Sequence, residues 1–183
     1  MMSTERHLVK AVVLGAVAGA GGTLAMDLVL FRRYRHGGGT DPFVAWETAR
    51  GVGTWDDASA PGQVGKRVAE LLTGREPPPR WARRTTNVVH WATGVGWGAQ
   101  FGLLNGLCPR HRVGFSVLLG PTAWATSYVI LPWAKVYKPI WDYDAGTLAR
   151  DLGAHMAYGS VAAAGFHWLD RPTNLCQVAP RGR

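Results

Sequence analysis

Four stretches of this chain carry no Asp, Glu, Lys or Arg: residues 11–26, 85–109, 113–134 and 152–169, which are 16, 25, 22 and 18 residues long. Runs of that length constrain the fold more than any motif does. A helix rises about 1.5 Å per residue and a bilayer core takes about 20 residues, so each run with its flanks is long enough to cross one. Buried helices of a water-soluble all-α domain would need a polar outer face, and the second run has no charge with which to build it. The expected fold class is therefore an all-α integral membrane protein with four transmembrane helices, near 8–31, 87–107, 113–133 and 148–169, and a long polar connection between helices one and two. Residues 1–170 read as a single transmembrane domain that includes the 32–84 membrane-surface connection, and 171–183 as a basic C-terminal tail.

The basic opening Arg6, His7 and Lys10 before an apolar run has the look of a signal peptide, but no small-x-small cleavage site follows and the run ends in Arg32, Arg33 and Arg35. It is read as a span. Of the nine Trp, Trp81, Trp91, Trp133, Trp141 and Trp168 fall near span ends, where an indole can pair an apolar ring with a polar N–H, whereas Trp97 and Trp124 read as packing residues. Within the connection, residues 41–50 form a candidate short helix starting near Pro42. Residues 62–72 place Val64, Val68, Leu71 and Leu72 on one face of a second helix that closes at Gly74.

The net charge of +8, from 20 Lys+Arg against 12 Asp+Glu, lies in the span flanks. Its expected role is attraction to anionic headgroups, so membrane lipids are partners. No zinc finger, RNA-binding aromatic pattern or independent basic helix is present, and a nucleic-acid partner is excluded. The connection carries ten Lys+Arg. The positive-inside rule then favours a multi-pass placement in the bacterial inner membrane with 32–84 on the cytoplasmic side. Cys108 and Cys176 fall on one predicted face, and no disulfide is expected between them.

Gly94, Gly98, Gly102 and Gly106 recur every four residues in the second span, and Gly15 and Gly19, continued by Gly22 and Met26, in the first. Such ladders let helices approach closely, which predicts a tight contact between spans one and two. Gly159 repeats the spacing in the last span together with Asp151, His155 and His167. Alternating span directions put Asp27, Asn87, His90, Tyr128, Asp151 and His155 in one third of the membrane. That polar cluster has the vocabulary of a proton relay, a metal site or a structural lock.

His90 and His155 are the candidate metal or haem ligands, although their levels differ by about 6 Å if the helix ends align. No His-Glu-x-x-His or Cys-x-x-Cys occurs, and Ser116, Ser127 and Ser160 lack a nucleophile elbow, so no catalytic residue is assigned and an enzyme is not the favoured reading.

The glycine-rich first span, the long polar connection, His90 with its glycine seam, and His155-x-x-Tyr158-Gly159 together make the chain resemble the YagU-like group of small bacterial inner-membrane proteins, over most of residues 8–169. That resemblance is architectural and implies no particular chemistry. The expected function is an accessory or scaffold component of a bacterial membrane protein assembly, associating with other membrane subunits or with itself, and no cofactor is predicted. The alternatives are an electron- or proton-transfer membrane protein bearing haem or a transition metal, and an oligomeric transporter of small solutes or ions.

Overall fold

The computed structural model describes residues 2–171, so the C-terminal tail from residue 172 and Cys176 lie outside the described residues. Among the described residues there are six α-helices: α1 (Met2–His36), α2 (Phe43–Glu47), α3 (Ala60–Thr73), α4 (Ala82–Leu107), α5 (Arg112–Trp133) and α6 (Ala145–Leu169). Short 3-10 turns at Pro79–Trp81, Pro109–His111 and Ile140–Asp142 lead into the last three. The fold is all-helical.

The four-span expectation is corrected. Among the described residues only two helical segments, Glu5–His36 and Pro109–Trp133, are long and apolar enough to cross a membrane. A run without formal charge is not thereby apolar: α4 carries Asn87, His90, Gln100, Asn105 and five glycines, and α6 carries Arg150, Asp151, His155, Ser160 and His167. Uncharged polar groups and glycine contribute little to transfer into hydrocarbon. The same finding overturns the multi-pass inner-membrane placement, and with it the cytoplasmic assignment of 32–84.

Small residues decide how the helices meet. α1 packs most extensively on α4 and α6, and α5 on α6. A Cβ on Gly15 would lie 2.8 Å from Gly102 Cα, and one on Gly98 would lie 2.5 Å from Gly19 Cα, so α1 and α4 touch backbone to backbone. Gly22 takes a different partner: it faces Tyr158 and Ala162 of α6. α5 and α6 meet in the same way where Gly159 abuts Gly120. The space left by glycine and alanine is closed by Phe101 and Phe166, whose rings meet edge-on at 5.3 Å.

The connection between α1 and α4 folds back onto the bundle. α1 ends with Arg33, Arg35 and His36 in its last turn, favourable against the helix dipole, and the chain reverses through Gly38 at φ +93°. Phe43 and Trp46 then pack on Phe31 with ring centroids 5.2 and 5.4 Å away. The main chain just beyond α2 is held from α4, because Arg83 Nε and Asn87 Nδ2 both donate to the Thr48 carbonyl at 2.9 and 3.0 Å. α3 follows Ser59 at its N-cap, has Pro61 in its first turn, sets Gly62 and Gly65 against Thr86, Thr85 and Val89 of α4, and stops at the left-handed Gly74. Val68, Leu71 and Leu72 stay exposed on its outer side.

Candidate functional site

The helix register builds the site. α1 and α4 run antiparallel: Gly15 lies against Gly98 and Gly102, Gly19 against Gly94 and Gly98, and Thr23 against Gly94. One further turn brings Asp27 to His90. α6 keeps a matching register on α1, with Gly165 beside Ala18 and Tyr158 beside Gly22, which carries His155 to the layer of Asp27.

His90 Nε2 stands 3.0 Å from Asp27 Oδ1 and 2.9 Å from Oδ2. Asp27 is only 2% exposed. A carboxylate removed from water to that degree needs a cation or a strong donor beside it. Burial pulls His90 down, but the hydrogen bond and charge of Asp27, with the charge of Glu47 added, outweigh it and leave the imidazole above its ordinary 6.5. Glu47 is pushed above the usual carboxylate range, first by burial and then by the neighbouring charge of Asp27. Its Oε1 is buried and has no hydrogen-bond partner among the described residues.

Asp27, Glu47 and His90 thus offer one ligand atom each, all within 4.8 Å of one another. One nitrogen and two carboxylate oxygens from three helices suit a divalent transition ion such as Zn²⁺, Mn²⁺ or Fe²⁺, and three protein ligands leave a coordination position open. The triad lies in the wall of a cleft of about 860 Å³, shared by α1, α4, α5, α6 and the connection.

The six residues of the sequence-derived polar cluster separate into three groups. Asp27 and His90 form the pair just described. Tyr128 donates to Asp151 Oδ2 at 3.0 Å, and His155 Nδ1 lies 3.0 Å from the Asp151 carbonyl, a contact that places the ring proton on Nδ1. Asn87 holds the main chain beside Glu47 instead of joining either pair. All except Tyr128 line the cleft. Of the two candidate metal ligands, His90 stands in the triad and His155 does not.

Glu47 escaped the sequence reading because it lies in the connection, where an acidic residue reads as solvated. The one sequence signal is the aromatic pair Phe43 and Trp46 just before it, which anchors five residues of helix on Phe31 of the bundle. A further pair, Ser116 Oγ and His167 Nε2 at 2.9 Å, is not a nucleophile and base, since the serine hydroxyl already donates to the Arg112 carbonyl at 2.8 Å.

Comparison of the chain with family models, with curated proteins and with solved structures finds no match.

Proposed function

We propose that this chain is a metal-binding protein that holds an exchangeable divalent transition ion between Asp27, Glu47 and His90, with the open coordination position facing the cleft. The observation that carries this reading is the convergence of two carboxylates and an imidazole from three separate helices within 4.8 Å, one carboxylate oxygen buried without a partner. Two like charges so close are mutually unfavourable, and a divalent ion between them turns that repulsion into attraction.

The test is titration of chelator-treated protein with Zn²⁺, Mn²⁺ and Fe²⁺ by calorimetry, with elemental analysis of the dialysed product. One equivalent per chain is expected, and His90→Ala or Asp27→Asn should weaken binding by about 100-fold or more. Glu47→Gln keeps the shape of the side chain and removes only its charge, and it should weaken binding while leaving the helical circular dichroism unchanged. A folded wild type that takes up no stoichiometric metal would refute the reading.

We also propose a second reading, an accessory component packed against other subunits, because Val9, Val13, Val17, Leu24 and Leu28 form an exposed apolar stripe along α1. Native mass spectrometry of the mildly extracted protein should then show a defined larger complex. A stable lone chain would remove this second reading and leave the metal site untouched.

A further inference from the structure

His155 is the cleft-lining histidine that the metal triad does not use. Its Nδ1 lies 3.0 Å from the Asp151 main-chain carbonyl, which can only accept, so Nδ1 carries the ring proton and Nε2 keeps a lone pair. Among the described residues nothing hydrogen-bonds to that Nε2, and the side chain keeps 17% of its surface accessible while lining the cleft. A neutral imidazole held in this tautomer offers a base to whatever fills the cleft. The Asp151 carboxylate accepts from Tyr128 and stands 3.7 Å from Nδ1, where it stabilises the imidazolium that forms when Nε2 takes a proton.

Three helices bring this base to the triad. The Tyr158 hydroxyl donates to the Gly94 carbonyl at 2.6 Å while its ring packs on Gly22, so α1, α4 and α6 meet at one level. About one turn from that junction, in the same direction along all three helices, stand Asp27, His90 and His155. His155 stays outside the group of ligand atoms that lie within 4.8 Å of one another. It is therefore placed beside the ion and not on it, as suits a base that takes a proton from a water in the open coordination position.

The rest of the cleft selects what can react there. Met26, Leu30, Val64, Ile130 and Leu131 line it, and its volume of about 860 Å³ far exceeds the space of one metal ion with its waters. Arg50 is the only Lys or Arg among its lining residues, so an anionic substrate such as a phosphate ester meets a single cationic side chain among carboxylates. A neutral substrate with an apolar group fits this wall, and a carbonyl is the group that a divalent ion polarises.

We propose that His155 is the general base of a metal-dependent hydrolytic site that cleaves neutral carboxylic esters bearing an apolar acyl group, an inference that rests on the metal-binding reading above. His155 Nε2 takes a proton from the metal-held water as the water oxygen bonds to the ester carbonyl carbon. The bond from that carbon to the alcohol oxygen then breaks, and His155 returns the proton to the departing oxygen. Ester and water give acid and alcohol, with no oxidant or reductant required.

The experiment follows hydrolysis of 4-nitrophenyl butyrate by full-length protein, first treated with chelator and then loaded with one equivalent of Zn²⁺, with elemental analysis of the same samples. Loading should raise kcat/KM at least about tenfold over the metal-free protein, and the anionic 4-nitrophenyl phosphate should react at least about tenfold more slowly than the butyrate. His155→Ala should lower kcat about 100-fold while KM stays within about threefold and one ion per chain is still bound. Added imidazole should restore at least about tenfold of the lost rate in His155→Ala, a rescue that a merely structural role does not allow. His155→Gln keeps a polar side chain in place and should lose the same rate while keeping the wild-type helical circular dichroism, so the base is judged even where alanine disturbs folding. One bound ion per chain without metal-dependent ester turnover, faster turnover of the phosphate, a wild-type kcat in His155→Gln, or a loss in folded His155→Ala that imidazole does not restore would each overturn this proposal and leave the metal-binding reading standing. Absence of bound metal would overturn both.

Discussion

Replacing Gly98 by alanine is expected to push α1 off α4 and to remove metal uptake with it. A Cβ there would lie 2.5 Å from Gly19 Cα and 2.8 Å from Gly19 N, and closer still to the Gly15 carbonyl oxygen. All three are backbone atoms, so no rotamer change relieves the clash. Alanine gains about 0.5–1 kcal/mol over glycine in a helix interior, whereas overpacking a close contact costs about 1–3 kcal/mol and more when neither side can move. The clash wins, and the melting temperature should fall by about 5 °C or more. Gly96 on the same helix has nothing within 4 Å of its Cβ position. Gly96→Ala should therefore melt at or slightly above the wild-type temperature, which separates the effect of packing from that of helix propensity. His90 lies two turns from Gly98 on the same side of α4, so separating the helices also draws it away from Asp27. A Gly98→Ala protein that melts like the wild type and binds metal normally would show that the close approach is not what assembles the site.

This coupling of seam to site explains which parts of the structure are legible in the sequence. A glycine every fourth residue is a local signal, because the helix period alone puts Gly94, Gly98 and Gly102 on one side. With α1 and α4 antiparallel, that spacing also brings Asp27 level with His90. Membrane spanning is not legible in the same residues, because absence of charge is not hydrophobicity. In α4 the charge-free run is filled by glycines, Asn87, His90, Gln100 and Asn105, and Asn105 is itself fully buried with its amide donating to the Phe101 carbonyl at 2.8 Å. Such a residue takes its place in the helix through packing inside the protein, not through hydrophobicity. Glu47 leaves only a faint trace, for a different reason. Five residues of helix are too few for periodicity to show a face, and their position depends on contacts with Phe31, Arg83 and Asn87 that are distant in the chain or follow a glycine reversal. His155 shares the layer of the triad, yet its Nδ1 faces the Asp151 carbonyl one turn earlier, a geometry that depends on the rotamer and leaves no trace in residue spacing.

Metal-free and metal-loaded protein should respond to pH in opposite directions. In the metal-free chain the imidazole of His90 is held above 6.5 by Asp27 and Glu47 in spite of its burial. A group whose folded value is raised stabilises the fold fully below its unfolded value, and that contribution disappears as the pH rises through the folded value. His90 therefore makes the metal-free protein more stable at about pH 6 than at about pH 8. Glu47 adds in the same direction at lower pH, because its raised value means that the folded site prefers the protonated acid. A metal reverses this order. It needs the lone pair of His90 and the carboxylate of Glu47, so each ion bound displaces the protons that those groups hold. Affinity should fall about tenfold for every pH unit below the folded value of His90, and more steeply once Glu47 also protonates. The stabilisation that a fixed metal concentration provides then grows as the pH rises, following the logarithm of concentration over Kd. Melting temperatures measured from about pH 6 to about pH 8, with chelator and with excess Zn²⁺, should therefore diverge, the first curve falling and the second climbing. His90→Gln should flatten both curves, since glutamine keeps a polar side chain but has no proton to exchange in this range. Parallel curves for the wild type would mean that the ion binds elsewhere, because no site built on His90 can take up a metal without releasing the proton that the imidazole holds.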